Sequence, residues 1–132
     1  MPVSPVPDGY PRLSPYLIVD DPEVAMTFMR DVLGGEVVRR SVNDVGRVMH
    51  AEVRVADTLV MVGGASPEWP AIPAALHVYV DDVDAAYERA KAAGATLITP
   101  PTLQPYGDRN AYVKDAGGTT WFLSTHVGDV AH

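Results

Sequence analysis

Several side chains capable of acid–base or metal chemistry fall on predicted β-strands. Between residues 47 and 56 apolar residues alternate with His50, Glu52 and Arg54, so these three point to the same side of a strand. His77 lies on a second such strand. His50, Glu52 and His77 could form a 2-His-1-carboxylate site, which suits iron or zinc. The favoured interpretation is ordinary hydrogen bonding, because most histidines and glutamates on strands have that role.

An internal repeat supplies the elements that must position these residues. The sequence LIVDD at 17–21 is matched by VYVDD at 78–82, and each is followed by an amphipathic stretch that ends in glycine. The pattern predicts helices over 22–33 and 83–93, capped by the aspartates Asp21 and Asp82. Three alternating segments follow each helix: 36–41, 47–56 and 58–62, then 96–99, 111–114 and 119–125. The sequence therefore predicts an α+β fold of two βαβββ modules that form a curved mixed sheet around a cavity.

The two modules are expected to form a single domain over residues 13–126, at about 13–63 and 75–126. Residues 1–12 predict an extended Pro-rich arm rather than a signal peptide, and 64–74 a Gly- and Pro-rich linker. The stretch PPTLQPYGD is predicted to be a long loop. Residues 127–132 are expected to be a mobile tail, so neither His126 beside it nor His132 within it is given a catalytic role.

Composition excludes several kinds of function. The 132-residue chain carries a formal net charge of −7 and no cysteine. Acidic proteins are repelled by nucleic acid and by anionic lipid, so neither is an expected partner. Without cysteine there is no disulfide, no thiolate nucleophile and no Cys-ligated zinc. No apolar stretch has the length of a transmembrane helix, and a cytoplasmic location is expected.

Strand alternation predicts which side chains face the cavity. Met49, Ala51 and Val53 are assigned to the side that the helix covers. Arg109 in the YGDR loop could clamp a ligand carboxylate or phosphate, or could order the loop together with Asp108. The predicted ligand-binding residues face the cavity or lie in this loop: Tyr16, His50, Glu52, Met61, His77, Tyr79, Arg109 and Phe122. Trp69 in the linker could cover the cavity mouth or pack against a dimer partner.

The repeat, the two VDD openings and the stretch YGDRNAYVKDAGGTTWFLSTH together resemble the vicinal oxygen chelate fold over residues 13–126. MHAEVRVADTLVMV, YGDR and GGTTWFLSTH are similar to its PhnB-like branch. The resemblance implies paired modules, a homodimer, and activities that range from metal-dependent lyases, isomerases and dioxygenases to metal-free drug binding.

The same resemblance places the metal-ligand positions of the family's enzymes at Ser14, Met61, Ala75 and Phe122. None of these is a usual ligand of a divalent cation, so no cofactor is expected. The predicted function is binding of a small aromatic or amphipathic molecule between the modules without the usual metal. A metal-dependent enzyme using His50, Glu52 and His77 is the alternative, and a dimeric scaffold without small-molecule chemistry is a third hypothesis. The sequence leaves open whether the protein is an enzyme.

Overall fold

The computed structural model describes residues 3–129 and contains both predicted modules. Module 1 consists of β1 (Tyr16–Val19), α1 (Pro22–Leu33), β2 (Glu36–Val42), β3 (Val48–Val55) and β4 (Thr58–Gly64). Module 2 consists of β5 (Ala75–Tyr79), α2 (Val83–Ala92), β6 (Thr96–Leu103), β7 (Asp108–Lys114) and β8 (Thr120–His126). The predicted α+β class and the two βαβββ modules are confirmed.

Each module forms its own four-stranded mixed sheet. The strand orders are β1-β4-β3-β2 and β5-β8-β7-β6. In both sheets the first strand pairs in parallel with the last, and the remaining pairs are antiparallel. Over residues 3–129 every strand pair belongs to a single module.

Both helices begin and end as their sequences predict. The Asp21 side chain accepts a hydrogen bond from the Glu23 amide at 3.1 Å, and Asp82 accepts one from Ala85 at 3.2 Å. These aspartates satisfy amides that the first helical turn leaves free. Gly34 ends α1 in the left-handed conformation, with φ of 69°. Neither helix of the described part of the chain is long and apolar enough to span a membrane.

One hydrophobic core joins the two modules through their helices. Helix α1 contacts α2 as well as its own sheet. The Phe28 ring of α1 stacks on Trp121 of β8 with 5.5 Å between ring centroids. The Arg89 guanidinium of α2 donates to the backbone oxygen of Val32 at 3.0 Å. The modules are therefore held together by side chains of the two helices and of the sheet faces that the helices cover.

The sheet face that turns away from the helix is called here the open face of each module. Alternation assigns five predicted site residues to these faces: Tyr16, Met61, His77, Tyr79 and Phe122. Their neighbours along the strands accordingly lie in the buried core: Leu17, Val60, Val62, Trp121 and Leu123. Tyr16 is 52% exposed and Tyr79 is 58% exposed. In a single chain the open faces are therefore accessible around these two rings, whereas Glu52 of module 1 and Ser124 of module 2 are buried.

The predicted alternation of β3 is wrong at Met49, which it assigns to the side that the helix covers. The pairing of β2 with β3 shifts between Ser41, opposite His50, and Val42, opposite Val48. This β-bulge leaves Met49 without a partner and reverses the alternation beyond it. Val48 is consequently buried at 1% exposure, and Met49 is 43% exposed instead of lying in the core.

The predicted long loop PPTLQPYGD is mostly strand. Strand β6 continues to Leu103 and β7 already begins at Asp108. Pro100 and Pro101 are accommodated because β6 lies at the edge of its sheet, where the register also shifts between Thr99 and Thr102. Only residues 104–107 connect the two strands.

Candidate functional site

A chain of hydrogen bonds runs across the open face of module 1. The Glu52 carboxylate is 5% exposed. It accepts hydrogen bonds from the Tyr10 hydroxyl and, at 2.9 Å, from Nε2 of His50. The other imidazole nitrogen, Nδ1, lies 3.2 Å from the Tyr16 hydroxyl. Three of these four residues are predicted site residues, and the structure brings them together.

Tyr10 reaches Glu52 because the N-terminal arm folds back over module 1. The Tyr10 amide donates to the oxygen of Pro7 at 3.1 Å, which closes a turn. The Arg54 guanidinium donates to the oxygen of Gly9 at 3.4 Å. Leu59 of β4, opposite Arg54, is fully buried although it is not part of the hydrophobic core that joins the modules. Sequence reasoning missed Tyr10, since no local pattern indicates where an irregular arm will pack. Of this arm, residues 1 and 2 lie outside the described part.

The hydrogen bonds around Glu52 determine its charge and the tautomer of His50. The bond from His50, followed by that from Tyr10, lowers the pKa of the Glu52 carboxyl more than burial raises it. The Arg39 charge, opposite Glu52 on β2, lowers this pKa further. The ionised carboxylate requires a proton on Nε2 of His50. In neutral His50, Nδ1 is therefore an acceptor for the Tyr16 hydroxyl.

A pocket of about 380 Å³ adjoins the Tyr16 ring. Its lining is mostly apolar and comes from β1, β3, β4 and the linker: Tyr16, Ile18, Met49, Gly63, Gly64 and Trp69. A Cβ on Gly63 would lie 2.7 Å from the Tyr16 hydroxyl oxygen, so the absence of a side chain at residue 63 allows the ring to lie over β4. Trp69 of the linker borders this pocket, which lies on module 1 and is not the predicted cavity between the modules.

On the open face of module 2, His77 belongs to a separate network. Ser124 donates its hydroxyl proton to Oδ1 of Asn110 at 2.8 Å. Nε2 of His77, 2.9 Å from the Ser124 oxygen, must therefore be the donor to it. The His77 ring also meets the edge of Tyr79, with 4.7 Å between centroids. Unlike His50, His77 has no carboxylate on this nitrogen.

Asp108 and His126 are further members of this face that sequence reasoning did not select. Asp108 accepts from the Tyr79 hydroxyl at 2.8 Å, and its other oxygen lies 2.8 Å from Nδ1 of His126. Nε2 of His126 lies 2.7 Å from Asp129. The bonds from His126 and then Tyr79 lower the pKa of Asp108, and those to Asp108 and Asp129 raise the pKa of His126. His126 is thus the ordered last residue of β8, whereas His132 lies outside the described residues.

Arg109 does not join the other predicted site residues. Its guanidinium makes two hydrogen bonds, at 2.8 and 2.9 Å, with the carboxylate of Asp84 in α2. This pairing lowers the pKa of Asp84 and raises that of Arg109. Asp108 pairs with Tyr79 and His126 instead of its neighbour. Strand alternation explains the difference, because consecutive residues of β7 point to opposite faces.

The predicted metal donors are divided between the modules. His50 and Glu52 pair on module 1, and His77 is on module 2. Across residues 3–129 no three His, Asp or Glu side chains lie together as metal ligands. In the strand register the residue beside Met61 is Tyr16 and not the predicted Ser14. The residue beside Phe122 is His77 and not the predicted Ala75. Of the two pairs, only His77 is a usual ligand of a divalent cation, so these positions do not fit a metal centre.

Comparison with known proteins identifies the family. The profile of the Glyoxalase/Bleomycin resistance protein/Dioxygenase superfamily matches residues 12–123. The chain belongs to this superfamily. An uncharacterized Mycobacterium bovis protein, Mb0911c, is 33% identical over 131 residues, covering 91% of this chain and 86% of the relative.

Solved structures of other proteins share the same architecture. TioX from Micromonospora sp. ML1 superposes with a TM-score of 0.75 at 27% identity, over 89% of this chain and 99% of TioX. The PhnB protein from Bacillus cereus has a TM-score of 0.70 at 20% identity, over 87% and 99% of the two chains. At that identity the PhnB likeness shows the fold alone.

Proposed function

We propose that this superfamily member binds a small aromatic or amphipathic molecule on its open faces, without the metal of the superfamily's enzymes. The observation that carries the proposal is that Tyr16 and Tyr79 are more than half exposed while their hydroxyl groups are held by hydrogen bonds. Rings fixed in this way can stack on a planar ligand with little loss of side-chain entropy. Phe122 and Tyr112, whose rings meet edge to face with 5.1 Å between centroids, extend the aromatic surface of module 2.

A second copy of the chain completes the binding site in this proposal. Met49, Tyr16, Trp69 and Tyr79 are large exposed side chains on or beside the open faces, and exposed apolar patches of this kind mark ligand or protein contacts. A homodimer in which an open face of one copy covers one of the other would enclose the ligand. Membership of the PhnB-like branch and a cytoplasmic location belong to the same proposal. Nucleic acid and membranes have no part in it.

A metal-dependent enzyme is the second candidate function. It is favoured by the close pair of His50 and Glu52 on module 1 and by the superfamily, whose description includes glyoxalases and dioxygenases. His77 would have to come from a second copy, since within one chain it lies on the sheet of the other module and joins no cluster of three donors in the described residues. Elemental analysis of dialysed protein without a His tag tests this candidate. Stoichiometric metal that is lost in His77→Ala would replace the binding proposal with the enzyme.

Two measurements test the binding proposal. Sedimentation at micromolar concentration should give a dimer, and a thermal-shift screen of aromatic and amphipathic compounds should find a stabilising ligand. A ligand at about 100 times its dissociation constant stabilises by about 2.7 kcal/mol. Tyr79→Phe keeps the ring but loses the hydrogen bond that fixes it, so it should weaken binding slightly, and Tyr79→Ser, which removes the ring, should weaken it more. A dimer that no compound stabilises would support the scaffold hypothesis instead, and a monomer would contradict the proposed site.

A further inference from the structure

A chain of hydrogen bonds runs from Tyr10 through Glu52 and His50 to Tyr16. Stacking of a ligand on the Tyr16 ring does not require this chain. We propose that it is a proton relay, and that the pocket beside Tyr16 binds a ligand with a weakly acidic hydroxyl group, such as a phenol, and removes its proton without a metal. This inference rests on the proposed function, because it assigns a chemical class of ligand to the module 1 part of the same site.

Glu52 acts in this relay as a positioning residue. Its two carboxylate oxygens are taken up by the Tyr10 hydroxyl and by Nε2 of His50, and the side chain is almost completely buried. It is therefore not available to a ligand. Its effect is to hold the proton of neutral His50 on Nε2, which leaves Nδ1 as the basic nitrogen. A carboxylate behind the ring also stabilises the imidazolium that forms when Nδ1 takes up a proton.

Tyr16 connects this base to the pocket. Its hydroxyl lies 3.2 Å from Nδ1 of His50, and its ring lines the 380 Å³ pocket. That volume falls in the range of small-molecule sites, about 300–1,000 Å³. The apolar walls formed by Ile18, Met49 and Trp69 suit an aromatic ring. The Tyr16 oxygen is the polar atom that a ligand hydroxyl would meet.

The proton transfer balances without another reactant. The ligand hydroxyl donates its proton to the Tyr16 oxygen, and the Tyr16 proton passes to Nδ1 of His50. The products are a ligand anion, a neutral tyrosine and an imidazolium paired with the Glu52 carboxylate. The other charged groups on the strands of this face are Arg39, opposite Glu52, and the pair of Arg54 and Glu36, in which Arg54 is also bound to the arm at Gly9. Glu36 opposes Arg54, so Arg39 is the cation whose charge favours the anionic ligand.

Module 2 provides an internal comparison. His77 also lies on an open face, but Nε2 of His77 donates to the Ser124 hydroxyl oxygen instead of a carboxylate. No ionised group on that nitrogen stabilises an imidazolium. His126 of module 2 has carboxylates on both ring nitrogens, so it has no nitrogen left for a ligand, whereas His50 keeps Nδ1 directed at Tyr16.

The test uses p-nitrophenol, whose anion is yellow, together with p-nitroanisole, which has the same ring system but no acidic proton. At a pH below the pKa of free p-nitrophenol, the wild-type protein should increase the anion absorbance. Tyr16→Phe and His50→Gln should abolish this increase, and Tyr10→Phe and Glu52→Gln should reduce it at least several-fold. Tyr87→Phe is the matched control, since the Tyr87 hydroxyl of α2 lies outside this network. p-Nitroanisole should bind equally well to wild type and His50→Gln.

A second measurement does not depend on any ligand. Nitrogen NMR of the histidine rings should show His50 protonated on Nε2 in wild type, and a mixture of tautomers in Glu52→Gln. A purely structural role of Glu52 would leave the tautomer unchanged. Binding of p-nitroanisole without ionisation of p-nitrophenol, or a colour change that survives His50→Gln, would overturn the relay alone. Binding of neither compound would overturn the relay together with the proposed function.

Discussion

The Tyr79 hydroxyl donates to Oδ2 of Asp108 at 2.8 Å and thereby ties an exposed ring to a nearly buried carboxylate. The other oxygen of Asp108 is bound to His126, at the far end of β8. A predicted ligand-binding ring is thereby linked through Asp108 to a histidine at the end of the sheet.

The Asp108–His126 pair should make stability depend on pH. The pKa of His126 is raised above its ordinary value of 6.5, so its contribution is complete below that pH and is lost as pH rises through the folded-state pKa. The pKa of Asp108 is lowered from 3.8, so its contribution is complete above that pH and is lost on further acidification. His126→Gln should therefore lower the melting temperature most between these two values.

Melting curves of wild type and His126→Gln over a series of pH values check this expectation. The difference should shrink as the solution becomes alkaline. Asp129→Asn removes only the more exposed partner of His126 and should show a smaller effect. A difference that is constant with pH would contradict the assigned pairing.

Trp121 should be among the most costly residues to replace. Its indole nitrogen donates to the buried carboxylate of Asp115 at 2.9 Å, and its ring stacks on Phe28. Trp121→Phe leaves a cavity and removes a hydrogen bond from a buried charged group, which should cost about 2–4 kcal/mol. Urea denaturation measures the loss. Trp69→Phe, on an exposed ring, should change stability by less than about 0.5 kcal/mol; equal losses would show that Trp121 is not a core anchor.

Gly35 should not tolerate a side chain. A Cβ there would lie 2.9 Å from the Met29 backbone oxygen and 3.0 Å from Cγ1 of Val53, neither of which can move freely in the core. Gly35→Ala should destabilise the protein by about 1–3 kcal/mol. Gly128→Ala is the control, since a Cβ at that position meets no atom within 4 Å. Chemical denaturation of the two variants should separate them clearly.

Gly63→Ala should affect the site more than the fold. The new methyl group would approach the Tyr16 hydroxyl, which can swing away from β4 but would then leave His50. We expect nearly unchanged stability and about tenfold weaker binding of p-nitrophenol, equivalent to about 1.4 kcal/mol. Calorimetric titration measures the affinity. Unchanged affinity would mean that Tyr16 does not need its observed position.

Local patterns predicted the elements well because their causes are local. The Asp21 and Asp82 caps and the glycines after the helices mark both helix ends within one residue of the structure. Alternation placed Tyr16, His77 and Phe122 on the correct faces. It failed at Met49, because a β-bulge depends on the pairing of two strands and leaves no signature in one of them.

The composition of the site was harder to predict because it depends on contacts distant in sequence. Tyr10 contacts a residue 42 positions away, and the Arg109–Asp84 pair joins a strand to a helix 25 positions earlier. Neither contact follows from periodicity or turn chemistry. His126 was set aside for its position near the C-terminus, although the strand pairing of Asp108 with His126 holds it in the sheet.

The division into two sheets has a consequence for how copies of this chain can combine. No backbone ladder crosses between modules in the described residues, and the contacts that join them are those of side chains such as Phe28 with Trp121 and Arg89 with Val32. Two copies can therefore exchange modules at residues 65–74 by remaking the same side-chain contacts between chains. Every strand pair is kept in such a swap. The backbone hydrogen bonds that it would break are mainly those of the linker, such as the bond from the Ile72 amide to the Ile18 oxygen at 3.1 Å.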